Sequence, residues 1–167
     1  GARQVIMPYV VGSIEVYEQQ TSWDNILENS KYVVIWGADP LATIRIAWTA
    51  NDQRAMRYFE KLRKSKIKVI CIDPVRTQTA KFLKADLVQP RPNTDVAMML
   101  GMASHLISVN KVNYEFLENY TTGFKKFKAY LDGKTDKIVK DVKWASKICG
   151  VDENTIKTLA ETFYDNP

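Results

Sequence analysis

Two short apolar runs with one amphipathic helix between them constrain this chain more than anything else in it. Tyr32–Trp36, YVVIW, is five apolar residues in a row, the pattern of a buried strand covered on both faces. Asn51–Lys64 then sets Ala55, Tyr58, Phe59 and Leu62 on one helical face and charges on the other. Ile67–Ile72 follows, rich in β-branched residues, and reads as a second buried strand. A strand, a helix and a strand in so few residues form a crossover unit. The two strands are therefore expected to be parallel and the connection right-handed. The fold class is α/β, a parallel sheet with flanking helices.

In an open sheet of this kind ligands gather where the strands end, so the strand ends are the candidate site. The first strand stops at Gly37, and Asp39-Pro40 supplies a helix start: proline needs no N–H partner there, and a preceding aspartate can cap free N–H groups. Any βα turn needs such residues, so the signal is open to a plain structural reading. The second strand ends in Asp73-Pro74. A carboxylate there can accept from two neighbouring ribose hydroxyls, or it can simply form a turn before proline. Val75–Ala85, with Arg76, Thr77 and Thr79, predicts a loop and a short helix, and Asp86–Gln89 a brief third strand. The QPRPNTD segment, Gln89–Asp95, is stiffened by two prolines, and Asn93 or Thr94 can cap the helix that starts near Asp95. Asp95–Val109 is apolar on most faces and reads as a buried helix, with His105 on its Met98/Met102 side as a core histidine. Tyr114–Tyr120, Phe124–Leu131, Val142–Cys149 and Asn154–Phe163 show helical spacing, punctuated by Gly123, Gly133 and Gly150, and Asp152 can cap the last.

Other function classes find little support. The net charge is +5, but the lysines of Lys61–Lys68 and Lys125–Lys147 alternate with apolar residues as solvated helix faces do, so nucleic acid is not an expected partner. No apolar run approaches the roughly 20 residues of a membrane helix. Cys71 and Cys149 form no C-x-x-C pair, and Cys71 reads as a small buried apolar residue. There is no G-x-G-x-x-G after the first strand, only Gly37-Ala38-Asp39, and no Walker A motif, zinc-spaced cluster or G-x-S-x-G. With one histidine and no paired carboxylates, the chain carries no catalytic set and no metal-ligand set. It can hold a nucleotide, but shows no means of doing chemistry on it. Residues 1–30 read as an arm or helix continuing from an upstream part. Its Val5–Val11 run is broken by Pro8, and helical spacing sets in at Trp23, Ile26 and Leu27. Tyr17 and Gln19-Gln20 lie in its polar part and could cover a site. The abrupt ends, Gly1-Ala2-Arg3 and Asn166-Pro167, read as those of a segment of a longer protein.

Six ordered motifs give a more specific signal: VYEQQTSW, WGADP, CIDPVRTQTA, QPRPNTDVAMMLG, YTTGFKKFKAYL and WASKICGV. Together they resemble the molybdopterin oxidoreductases of the dimethyl sulfoxide reductase family, and within it the trimethylamine N-oxide, dimethyl sulfoxide and biotin sulfoxide reductases. The resemblance implies a Rossmann-like α/β domain, residues 31–167, from a larger multidomain enzyme. It implies one guanosine nucleotide of a bis-molybdopterin guanine dinucleotide with molybdenum, in an enzyme that takes an oxygen atom from an S-oxide or N-oxide. It also implies the residues. Trp36, Gly37, Ala38 and Asp39 match the turn that approaches the pyrophosphate, where backbone N–H groups matter most and the Asp39 side chain should bond elsewhere. Ile72, Asp73 and Pro74 match the strand tip at the ribose. Asp95 matches the carboxylate that accepts from N1–H and the exocyclic amine of guanine. Thr77, Gln89 and Arg91 flank the same pocket. No molybdenum ligand falls in this segment. The expected partners are the remaining domains, a small S- or N-oxide and an electron-donor protein, in a bacterial periplasm or cytoplasm. The rival readings are an adenine-nucleotide or NAD module and an α/β domain with no ligand.

Overall fold

The computed structural model describes residues 2–13, 21–43 and 55–166. Its described elements, in order, are α1 (Ala2–Val11), α2 (Trp23–Asn29), β1 (Tyr32–Trp36), α3 (Pro40–Thr43), α4 (Ala55–Lys64), β2 (Lys68–Ile72), α5 (Gln78–Leu83), β3 (Asp86–Val88), α6 (Asp95–Ser108), α7 (Tyr114–Tyr120), α8 (Phe124–Leu131), α9 (Val142–Cys149) and α10 (Glu153–Asp165). The strands form one parallel sheet in the order β1-β2-β3. The α/β class and parallel strands expected from sequence are present. The chain divides into two compact units, one of Gly1–Cys71 and Arg76–Leu87, the other of Ile72–Val75 and Val88–Pro167.

The first unit is built on the face of α4 that periodicity picks out. Phe59 and Leu62 are buried with Val69, Cys71, Ala80 and Leu83, and Trp23, Leu27, Val33, Ile35 and Leu41 pack against that cluster. Full burial of a side chain such as Phe59 contributes about 1.5–3 kcal/mol. Trp23 stacks on Tyr58 with ring centroids 6.0 Å apart and meets Phe59 at 5.5 Å, which fixes α2 against α4. Two readings are corrected here. β1 is not buried on both faces: it is an edge strand of the described sheet, and its residues are half-buried apart from Val34, which is 37% exposed. The central strand β2 is the buried one, from Val69 to Ile72. Pro8 does not break the first apolar run either, because α1 passes through it and Gly12 N–H donates to the Pro8 carbonyl. Proline costs that helix one hydrogen bond, and most of the side chains from Val5 to Val11 are exposed. Tyr17, Gln19-Gln20 and the apolar stretch after Thr43 lie outside the described residues.

In the second unit α6 packs on α9 and α10, with Met98, Met102, Ala145, Cys149, Ile156, Leu159 and Ala160 buried. Gly101 sets the spacing: a Cβ there would lie 2.4 Å from the Cβ of Ala145, so no side chain fits between α6 and α9. Asp141 and Asp152 cap α9 and α10, accepting from Trp144 N–H and Thr155 N–H. A buried lysine, Lys140, is held by the Asp136 carboxylate, by the Ile138 carbonyl at 2.7 Å and by the Tyr130 ring, 4.0 Å below its Nζ. Every charged proton donor there has a partner, as burial of an ammonium requires.

Candidate functional site

In the first unit, the turn after β1 is fixed by its aspartate. Gly37 takes a left-handed conformation (φ +60°), which lets the chain turn sharply out of the strand. Asp39 follows, and its carboxylate is fully engaged at the start of α5. Oδ2 accepts from Gln78 N–H (3.1 Å); Oδ1 accepts from Thr79 N–H (3.1 Å) and from the Thr79 hydroxyl (2.6 Å). That buried hydroxyl in turn accepts from Leu41 N–H at 3.0 Å, tying α3 to α5. Thr77 caps the next turn, its Oγ1 accepting from Ala80 N–H at 3.0 Å, and its carbonyl accepts from Lys81 N–H. The N–H groups of Gln78, Thr79 and Ala80, which a helix start leaves without helical partners, are thus satisfied from within the protein. Asp39 therefore does not cap α3, the helix it precedes, with its side chain. Only its carbonyl serves α3, accepting from Ala42 and Thr43 N–H. Partial burial pulls the Asp39 pKa up, but the bonds from Thr79 and Gln78 outweigh it and hold the carboxyl below its ordinary range. Among the described residues no acceptor meets the N–H groups of Gly37, Ala38 or Asp39, and Gly37 and Ala38 are exposed. Trp36 ends β1 half-buried.

In the second unit, Ile72 is fully buried, so only its backbone can face a ligand. Asp73 N–H donates to the Val88 carbonyl at 3.0 Å, while Asp73 Oδ1 accepts from Val75 N–H at 2.9 Å and closes an Asx turn over Pro74. The Pro74 carbonyl accepts from Gln89 Nε2 at 3.0 Å. The turn role of Asp73, one of the two sequence readings, is therefore present in the structure, and one carboxylate oxygen serves it. Gln89–Asp95 then returns the chain to α6. Arg91 N–H donates to the Cys149 carbonyl (2.8 Å), and Arg91 Nη1 to those of Lys147 (2.8 Å) and Ile148 (3.1 Å), the C-terminal end of α9. The Arg91 carbonyl accepts from the Thr94 hydroxyl at 2.6 Å and from Thr94 N–H, closing a turn in which Asn93 is left-handed (φ +62°). Thr94 occupies the N-cap position of α6 without a side-chain cap bond, and its hydroxyl donates to that turn instead. Asp95 is half-buried in the first helical turn, where the helix dipole favours a carboxylate.

His105 is paired, as a core histidine should be. Its Nε2 lies 2.7 Å from Glu161 Oε1, and Lys111 Nζ lies 2.7 Å from Asp165 and 3.5 Å from Glu161. The bond from His105, reinforced by Lys111, lowers the Glu161 pKa against partial burial; the Asp165 bond raises that of Lys111. Among the described residues no group of three or more His, Cys, Asp or Glu side chains could hold a metal ion, and no helix is long and apolar enough to cross a membrane. A cleft of about 430 Å³ lies between α7 and α8, lined by Tyr114, Leu117, Phe124 and Lys125 among others. None of the sequence-predicted residues lines it.

A family model described as molybdopterin oxidoreductase matches residues 2–148. The chain belongs to the molybdopterin oxidoreductase family. It is 51% identical over 163 residues to a trimethylamine-N-oxide reductase of Haemophilus influenzae, and 51% identical over 163 residues to a dimethyl sulfoxide/trimethylamine N-oxide reductase of Rhodobacter capsulatus. Each alignment covers 98% of this chain and 20% of the relative, so the chain spans about a fifth of the length of these molybdopterin oxidoreductases. The solved structure of acetylene hydratase from Pelobacter acetylenicus matches at a TM-score of 0.57 and 25% identity, over 80% of this chain and 16% of that one. A hydratase sharing the fold shows that this architecture does not by itself select reductase chemistry.

Two participants had no sequence signal. Thr79, which buttresses Asp39, lies 40 residues further along the chain, and nothing in the local pattern couples them. The C-terminus of α9, which receives Arg91, is more than 50 residues from it. Gly150 was legible as a helix terminus, but not as the residue over which the Arg91 side chain lies.

Proposed function

We propose that this chain is the part of a molybdenum-dependent S-/N-oxide reductase that holds the guanosine nucleotide of one molybdopterin guanine dinucleotide, of two in the whole enzyme. The 51% identity to proteins named as trimethylamine N-oxide and dimethyl sulfoxide reductases, over nearly the whole chain, carries this reading. The substrate is then a small S-oxide or N-oxide, and the remaining domains and an electron donor complete the enzyme. Residues 31–167 form the nucleotide-binding part and residues 1–30 its arm.

The geometry supports the assignment residue by residue. With its carboxylate turned onto α5, Asp39 brings no charged oxygen to the outer side of its turn, and the N–H groups of Gly37, Ala38 and Asp39 are the donors for a pyrophosphate. Trp36 borders that turn and Thr77 flanks it. In the second unit the Ile72 backbone, Asp73 and Pro74 receive the ribose, Asp73 through the carboxylate oxygen not used by Val75. Asp95 accepts from guanine N1–H and the exocyclic amine, a donor pair that adenine lacks. Gln89 and Arg91 flank the base. The bound cofactor supplies the molybdenum that takes the oxygen atom; this chain's residues bind and orient its nucleotide.

Substitution of Asp95 by alanine tests the reading in the full-length enzyme. Guanine nucleotide released by acid hydrolysis should fall to about half of wild type or below, with circular dichroism unchanged. Unchanged loading would remove Asp95 from the site.

A further inference from the structure

We infer that Arg91 is a specificity-determining positioning residue, which sets the angle at which Asp95 meets the base by clamping the Gln89–Asp95 loop to the C-terminus of α9. The inference rests on the guanine reading above.

A helix leaves its last carbonyls without helical partners, and in α9 these include Lys147, Ile148 and Cys149, while Ser146 accepts from the C-cap Gly150 N–H. Among the described residues Arg91 supplies the bonds to all three, two from Nη1 and one from its backbone N–H. Its positive charge also stands at the pole of α9 where the helix dipole favours a cation. Gly150 leaves room for this side chain. That residue is left-handed (φ +76°), and a Cβ on it would lie 3.3 Å from Arg91 Nε. The Arg91 carbonyl then holds both the N–H and the hydroxyl of Thr94, the residue before Asp95.

A short chain of bonds therefore runs from the α9 terminus through Arg91 and Thr94 to the first residue of α6. The packing of Gly101 on Ala145 fixes the same two helices further along, so α9 is the platform for the whole loop. Both bonds leave one nitrogen, Nη1, whose two N–H groups are held in the guanidinium plane, whereas the three donors of a lysine ammonium rotate freely on a flexible stem. A structural clamp alone would weaken every ligand equally. A clamp that aims Asp95 must act on the part of the ligand that Asp95 reads.

The test is a ratio of affinities in cofactor-free full-length enzyme, titrated with guanosine diphosphate and inosine diphosphate. Inosine lacks the exocyclic amine and keeps everything else. Wild type should prefer the guanosine nucleotide about tenfold or more, the value of one charge-assisted hydrogen bond. Arg91→Met should bring that preference below about threefold, and Arg91→Lys should fall between. The lysine variant keeps the test open should the methionine variant fail to fold. Equal weakening of both nucleotides, or no change in the ratio, would overturn the inference and leave the guanine reading standing. A wild type that binds neither nucleotide, or binds both alike, would overturn both.

Discussion

The turn after β1 and the loop before α6 are fixed by opposite means. Asp39 spends a carboxylate on the N–H groups that open α5; Arg91 spends a guanidinium on the carbonyls that close α9. Each uses the charge that suits its helix pole, and each thereby removes a charged side chain from the loop's free side. The consequences differ. The first turn is left with backbone donors suited to an anion. The second delivers a carboxylate, Asp95, suited to a neutral donor pair on a base. On the function proposed above, the first would serve the phosphates and the second the nucleobase.

The largest expected effect comes from breaking the first arrangement. Asp39→Ala removes the acceptor for two N–H groups and leaves the Thr79 hydroxyl buried without it, so unfolding free energy should fall by about 2–3 kcal/mol in urea titration. Gly101→Ala attacks the platform of the second. Forcing α6 from α9 should cost about 1–3 kcal/mol, read as a lower thermal midpoint, and should disturb the Arg91 clamp along with it. Thr79→Val keeps the shape but strands Leu41 N–H and removes one bond to Asp39, at about 1–2 kcal/mol.

The two arrangements should also part company in acid. The Asp39 carboxyl has a folded pKa below its unfolded value, so its stabilisation is fully present above the unfolded pKa, near 3.8, and is lost as pH falls through the lowered folded value. A guanidinium offers no proton exchange in acid to oppose this. Asp39→Asn should therefore flatten the acid limb of the stability profile below pH ~4, whereas Arg91→Met should shift the whole profile without changing its slope. The Arg91→Met shift is the smallest effect, about 0.5–1 kcal/mol, because the guanidinium is exposed.

Much of the scaffold was legible because it is local. The apolar spacing of Phe59 and Leu62, the β-branched run at Val69–Ile72 and the Asp95 helix start are written in consecutive residues, and all three appear where periodicity places them. The exposure of β1 was not, since a run of apolar residues reads alike in a central and an edge strand, and only the strand order separates them. The same limit applied to the site. Asp39, Asp73 and Asp95 could be picked out as residues at strand or helix ends. What holds Asp39 and Arg91 depends on partners that only folding brings near, so a capping carboxylate and a ligand-binding one look identical in sequence. In Asp39 the structure shows the former.

On the function proposed above, this segment belongs to an enzyme loaded with a guanine-bearing molybdenum cofactor. Elemental analysis of the purified full-length protein, with identification of the nucleotide released by acid hydrolysis, tests it most directly. Molybdenum with about two guanosine monophosphates per metal is the expected result. Protein without metal and without guanine nucleotide, made under conditions that load other molybdoenzymes, would contradict it.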